Sequence, residues 1–367
     1  MKTTIFVLGG YGGTGREVCR KLLETTTSPL IIAGRDLDKA RTLSAGFVLE
    51  FPKRKISAVY ADASKYESLL KAFGGVTLII DATTATGDVL NVARAAIEVG
   101  ADYLDFHFEQ NVVVKLESIR KEIEQSNRCF ITQAGFHPGL PAALVRYASI
   151  QFGEMTKANI GMCMNTKIEK PESIYELVDM LSDYKVDIFK KGIWKRAGWA
   201  DFASFNFGED FGWKTCYPIQ MAEMLILPKM FPQLKETGVY VAGFNWFIDY
   251  FVFPFAFLLC AIKKGFGRRL LARLLTFGFN KIPSRGKGVS FVLEASGAKA
   301  GKSANFRILL HHDDAYAFTA IPVVILVRQY LDGTIKQPGL WLMGHIVEPR
   351  RLLKDMAAMG VIVHTNE

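Results

Sequence analysis

A chain of 367 residues has room for two domains, and half of it is hydrophobic with just over a fifth charged, which excludes general disorder and predicts a large packed core. A net charge of +9 admits an anionic cofactor or an anionic lipid surface as partner. No basic run interleaves with aromatics and no zinc-finger spacing occurs, so no nucleic acid is expected.

In chain order, the apolar run Thr4–Leu8 predicts a short strand. Gly10, Gly12 and Gly15 then fit G-x-G-x-x-G, enclosing Gly13 and Thr14, and Val18, Cys19, Leu22 and Leu23 follow at helical spacing. In such a strand–turn–helix unit the first glycine permits the turn, the second admits a pyrophosphate to the backbone, and the third lets helix and strand approach. The helix N-terminus offers free N–H groups to the phosphates. Further strands are expected at Leu30–Ala33, Ile56–Tyr60, Val76–Ile80, Tyr103–Phe106 and Cys129–Thr132. Helical patterns separate them, the clearest being Val89, Val92, Ala93, Ala96 and Ile97 before Gly100. This alternation predicts an α/β fold with an N-terminal Rossmann-type, doubly wound parallel sheet.

The second strand ends in Ala33-Gly34-Arg35, where an NAD site usually places an acid for the ribose 2′-OH. A small residue followed by arginine suits a 2′-phosphate, which predicts NADP(H). The competing reading of Arg35 is a surface charge, and Asp36 is expected to face solvent or cap the next helix. Asp62 is a candidate acceptor for the adenine amino group, or a helix cap. Thr83 and Thr84, in "DATTATG" after the fourth strand, are candidates for the diphosphate or nicotinamide ribose, or members of a capping loop.

"GGYGGTGREVCRKLL", "IIAGRD" and "ITQAGFHPGLPAALVRYA" together resemble the saccharopine dehydrogenase-like oxidoreductases, a family that includes trans-acting enoyl reductases. "VSFVLEASGAKAG", "AYAFTA" and "MGVIV" extend the resemblance toward the C-terminus. It implies a cofactor domain over 1–134, a second α/β substrate and dimerisation domain over 135–345 with a mixed sheet, and a C-terminal segment over 346–367 that returns to the first domain. It also implies a homodimer. In "GFHPGLP" the family turn commonly has an acid before Pro-Gly, whereas this chain has His137, a departure that speaks against amine substrates. Gly135, Pro138 and Gly139 are expected to approach the cofactor, with Pro138 opening a helix near Leu140. The candidate catalytic residues are His107, at the carboxyl end of the fifth strand, Asp105 two residues earlier on the same side as a tautomer-fixing partner, and His137. The competing readings are a packed histidine at 107 and a backbone-bonding turn histidine at 137.

Beyond Ser149 the alternation fades. Residues 155–165 and 289–312 read as strands, Pro171–Leu181 as a helix, 194–218 as a lid or packed loop, and Ala320–Leu331 as a buried helix behind the hairpin. The stretch 239–262 has one charge, Asp249, but glycine, asparagine and Pro254 interrupt it. It is followed by "KKGFGRRLLARLLTFGFNK", a basic amphipathic pattern of the kind that lies in a membrane interface. Residues 239–280 are therefore expected to form a monotopic membrane-contact insertion, with a dimer interface or core helix pair as the competing reading. The cysteines (Cys19, Cys129, Cys163, Cys216, Cys260) show no C-x-x-C, so reduced thiols and no metal are expected. The start predicts no cleaved leader, and hence a cytoplasmic protein, peripherally attached to membrane.

Three readings stay open. The first is an NADPH-dependent reductase of a C=C bond in a hydrophobic isoprenoid or acyl substrate. The second is a saccharopine-type amino-acid or polyamine dehydrogenase. The third is a non-catalytic NADP(H)-binding, membrane-associated protein.

Overall fold

The computed structural model describes residues 3–165, 174–175, 177–178, 186–198, 200–262, 266–282 and 285–366. Its first elements are β1 (Ile5–Leu8), α1 (Gly13–Thr25), β2 (Leu30–Gly34), α2 (Leu37–Glu50), β3 (Ile56–Tyr60), α3 (Tyr66–Phe73), β4 (Leu78–Asp81), α4 (Val89–Val99), β5 (Asp102–Asp105), α5 (Gln110–Ser118), α6 (Arg120–Gln125), β6 (Cys129–Thr132) and α7 (Leu140–Ser149). There follow β7 (Glu154–Asn165), β8 (Asp187–Lys190), β9 (Ile193–Arg196), β10 (Ala203–Asn206), β11 (Trp213–Ile219), β12 (Glu236–Ala242), α8 (Phe253–Ile262), α9 (Arg268–Lys281), β13 (Gly288–Lys299) and β14 (Lys302–His312). The chain closes with α10 (Ala315–Leu331), β15 (Gly339–Leu342), α11 (Pro349–Ala358) and β16 (Ile362–Asn366).

Two compact units result: Met1–Tyr147 with Tyr316–Gly360, and Ala148–Ala315 with Val361–Glu367. In the first, a seven-stranded parallel sheet runs β15-β6-β5-β4-β1-β2-β3. Its central strands "IFVL" and "LIID" are buried on both faces, as strands sandwiched between helix layers must be. Leu69, Ala72 and Phe73 of α3 and Val92, Ala93 and Ala96 of α4 lie in its core. Gly100 ends α4 at φ +71°, where a side chain would be strained. The crossover changes side between β1 and β4, and ligands of such sheets sit outside the carboxyl ends at that point.

The second unit holds a nine-stranded mixed sheet, with β10-β11-β12-β7-β13-β14-β16 in order and β8 and β9 joined at β12. Phe205, Phe207, Phe211, Tyr240 and Val292 form a core on it. The β13–β14 hairpin matches the expectation from "EASGAKAGKSANF". The aromatic stretch 194–218 differs from the expected lid: β10 and β11 add to the sheet edge, because Phe205 and Cys216 alternate inward with period two. The apolar stretch from 239 also differs at its start, since 239–242 belongs to β12, paired with β7 and β11. Only Ile174, Tyr175, Leu177 and Val178 of the expected helix 171–181 are described, and these are helical; its other residues lie outside the described set.

The unit boundaries fall elsewhere than at 134 and 345. The helix expected behind the hairpin is α10, which belongs to the first unit, where Tyr330 donates its hydroxyl proton to Asp102 on β5. The C-terminal segment divides: α11 is in the first unit, and β16 pairs with β14 in the second.

Candidate functional site

The β1–α1 turn begins at Gly9, which takes φ +81°, and the N–H groups of Gly9 and Gly10 donate to the Ala33 carbonyl at 2.7 and 3.2 Å. The left-handed residue is thus Gly9, one step before the motif. A Cβ on Gly15 would lie 2.4 Å from the Gly9 carbonyl oxygen, so the third motif glycine is the one that lets helix meet turn. A Cβ on Gly12 would meet only that oxygen, at 3.2 Å, which leaves the backbone open at the second. Gly12 caps α1 without any side chain bonded there, so the first helical amides, those of Gly13, Thr14 and Gly15, are free for a phosphate. These features fit a dinucleotide diphosphate.

Two aromatics that the motif did not single out complete the turn. A Cβ on Gly34 would strike the Tyr11 ring at 2.5 Å, and the Tyr11 hydroxyl accepts from the Asp36 N–H at 3.0 Å. A Cβ on Gly13 would meet the ring of Tyr316 at 2.9 Å. Tyr11 was legible as the aromatic inside the glycine motif; Tyr316, more than 300 positions away in the chain, had no local signal. Arg35 is exposed at the end of β2 and makes no ion pair among the described residues. Asp36 caps α2, accepting from the Lys39 N–H at 3.0 Å, and that bond together with the Lys39 side chain lowers its pKa. The acid thus serves the helix, and the guanidinium is left exposed, as a group that could meet a 2′-phosphate would be.

Asp62 does not cap α3, whose cap position is Lys65. Its Oδ1 instead accepts from the Ser64 N–H at 3.1 Å and the Ser64 hydroxyl at 2.8 Å, closing a tight turn. Burial works against its charge, but the Ser64 bonds and the Lys65 and Arg35 charges hold its pKa below the usual range. The Thr83 hydroxyl donates to Asp81 Oδ1 at 2.8 Å and accepts from the Ala85 N–H at 3.2 Å, so it is committed within its own loop. Thr84 is exposed and faces no such demand.

Asp81, Asp105 and His107 meet at the carboxyl edge of β4 and β5. All three are buried. His107 Nε2 lies 3.2 Å from Asp81 Oδ2, so the ring partner is Asp81 and not Asp105 as the spacing suggested. Asp105 Oδ1 accepts from the His107 N–H, the Thr132 hydroxyl and the Gln133 N–H at 3.1, 2.9 and 3.1 Å, while Oδ2 has no hydrogen-bond partner among the described residues. Burial would lower the His107 pKa; the Asp81 charge and hydrogen bond, aided by Asp105 and Glu109, raise it to about 9. For Asp81, burial is outweighed by His107 and Thr83, and its pKa falls. For Asp105 burial prevails and its pKa rises. The site thus holds a protonated imidazole, an ionised carboxylate and a second carboxyl group shifted toward its neutral form.

The loop 133–140 is closely folded. The Gly135 N–H donates to the Pro138 carbonyl at 2.9 Å, and a Cβ on Gly139, at φ +118°, would lie 2.4 Å from the Gln133 carbonyl oxygen. The His137 ring stacks on Phe108 with centroids 5.1 Å apart. Burial of the ring pushes its pKa down to about 3, so it is neutral and carries no proton to deliver at physiological pH. Among the described residues no cluster of ligands could hold a metal ion. Cys19, Cys129, Cys163 and Cys216 are free and buried.

Residues 5–130 match the family model described as saccharopine dehydrogenase NADP binding domain. Among curated proteins no sequence matches. Of the solved structures, apo histidine-tagged saccharopine dehydrogenase (L-Glu forming) from Saccharomyces cerevisiae is similar along 100% of both chains, at TM-score 0.69 and 14% identity, a likeness of fold. DAP dehydrogenase of C. glutamicum in complex with DAP covers 97% of this chain and 98% of its own at TM-score 0.49 and 13% identity. An engineered D-amino acid dehydrogenase bound to NADP+ covers 98% and 99% at 0.48 and 12%. The family model for an NADP binding domain falls on the same residues as the open glycine turn and the exposed Arg35, and the chain is an NADP-dependent oxidoreductase.

Proposed function

We propose that this oxidoreductase acts at a C–N bond, oxidising a secondary-amine amino acid or forming one by the reverse reaction. NADP supplies the hydride acceptor when bound, and the amides of Gly13, Thr14 and Gly15 with Arg35 would hold it. In this reading the amine carbon loses hydride, the amine nitrogen loses its proton to the protein, and water then splits the resulting imine into a carbonyl and a primary amine. The observation that carries the reading is Asp105. One of its oxygens is fixed by three donors, the other has no hydrogen-bond partner among the described residues, and burial raises its pKa toward that of a working base. Asp81 and His107 beside it keep a balanced charge pair that an added proton on Asp105 does not disturb. His137, being neutral, supplies neither sign of charge at the turn.

The test is absorbance at 340 nm with NADP+ and saccharopine, or with NADPH and a keto acid plus an amino acid. Asp105→Asn is expected to lower kcat by about 100-fold or more with NADPH affinity retained. Turnover of an enoyl thioester by the wild-type protein, with none of any amine, would overturn the C–N reading. That outcome belongs to the second reading, reduction of a C=C bond in a hydrophobic isoprenoid or acyl substrate. It is favoured by the exposed side chains of Trp246, Tyr250, Phe251, Leu258 and Phe277. For the cofactor itself, Arg35→Glu is expected to weaken NADPH binding 10- to 100-fold and leave NADH unchanged, read by fluorescence titration.

A further inference from the structure

The segment after β12 inverts the usual order of burial. A helical turn at Ile248–Val252 runs into α8 and is followed by α9. Ile248, Val252, Ala256, Leu271, Ala272 and Leu275 hold these helices together from within. The outward face is nonetheless aromatic: Tyr250 is 71% exposed, Phe251 59%, Trp246 57% and Phe277 50%. Phe247 meets Phe277 of α9 with ring centroids 5.6 Å apart, and Trp246 meets Phe251 within its own segment at 5.8 Å. Monomers seldom expose a contiguous apolar patch of this kind without a partner for it.

The charged residues of α9 are all basic. At 100° per residue, Leu270 and Phe277 share the centre of the outer face of α9, with Arg273 on one side and Lys281 on the other. Arg269, Arg273 and Lys281 are exposed and make no ion pair among the described residues. The one acid of the stretch is turned inward: Asp249 Oδ1 accepts from the Phe244 N–H at 2.8 Å, and burial raises its pKa to about 6. Beside Arg273 and Lys281 lies a hollow of about 360 Å³ floored by Ile174, Ala272 and Phe277. Helical residues 248–262 cover about 22 Å, short of the ~30 Å hydrocarbon core, and no helix among the described residues is long and apolar enough to cross a membrane.

We propose that this face docks on an anionic phospholipid bilayer, with Trp246, Phe251 and Phe277 in the interface and a lipid phosphate in the hollow between Arg273 and Lys281. The helices lie in the plane of the membrane. Self-association through the same face is opposed by its own chemistry, since it would set Arg269, Arg273 and Lys281 of two copies against each other. The proposal goes beyond the oxidoreductase chemistry and does not depend on which bond is reduced.

The experiment is sedimentation of the full-length protein with vesicles of phosphatidylcholine alone or with 30% phosphatidylserine, at about 0.1 and 0.5 M NaCl. The wild-type protein is expected to bind the anionic vesicles, less so at high salt. At about 1 kcal/mol per basic residue, Arg273→Gln with Lys281→Gln lowers binding roughly 30-fold. Trp246→Ser with Phe251→Ser is expected to lose at least 10-fold. NADPH titration of both variants, with wild-type affinity expected, separates a failed surface from a failed fold and from a failed cofactor reading. Equal binding to neutral and anionic vesicles, or none to either, would overturn the proposal. So would a wild-type dimer in light scattering that Trp246→Ser with Phe251→Ser converts to monomer.

Discussion

The carboxyl edge of the parallel sheet and the outer face of the α8–α9 pair break the same rule in opposite directions. At the edge, Asp81, Asp105 and His107 carry titratable groups into the interior. On the helices, Trp246, Phe251 and Phe277 carry aromatic rings out of it. The first is made tolerable inside the protein, because each charge meets an opposite charge or several donors. The second has no such internal remedy, since an exposed ring is relieved only by something outside the chain. An internally balanced exception is therefore sensitive to mutation in the isolated protein, and an externally balanced one only in the presence of its partner.

The largest expected effect tests the internal case. Asp81→Ala leaves a buried imidazole without its carboxylate and is expected to lower unfolding free energy by about 3–5 kcal/mol in urea titration. A loss below about 1 kcal/mol would mean that water reaches the group. The same pair has a pH signature. His107 has a folded pKa raised from 6.5 to about 9, so its stabilisation is fully present below pH 6.5 and is lost as pH rises toward 9. The size is on the order of 3 kcal/mol. In Asp81→Asn the main cause of the raised value is gone, and the decline between pH 6.5 and 9 should vanish. Acid acts the other way on Asp81 itself, whose lowered pKa makes its contribution disappear as pH falls below the ordinary carboxylate range.

The smallest effect belongs to the helices. Trp246→Ser with Phe251→Ser should change stability in solution by no more than about 0.5 kcal/mol per site, because both rings are already largely in water. A loss of several kcal/mol would show that the patch is core rather than surface.

Much of the first unit was legible because its signals are local. "GGYGGTG" requires close backbone approach within seven residues, and the apolar runs of β1 and β4 announce strands buried on both faces. Asp36 was readable as a cap because capping is settled within three residues. His107 illustrates the limit. Its position at a strand end was visible, but its ring partner is Asp81 on the neighbouring strand, 26 residues back, whereas sequence spacing favoured Asp105. The stretch 194–218 failed for a related reason: its glycines suggested a loop, and its strand pattern became decisive only once β12 offered an edge.

Sequence alone determined the nucleotide-binding turn, the arginine beside it, the parallel sheet and the presence of an apolar, basic stretch, because each is written in neighbouring residues. Tertiary structure alone decided which carboxylate holds His107, which face of the helices is left in water, and that Tyr316 reaches the glycine turn. These depend on contacts between residues far apart in the chain, and hydrophobic periodicity carries no information about such partners until the chain has closed on itself.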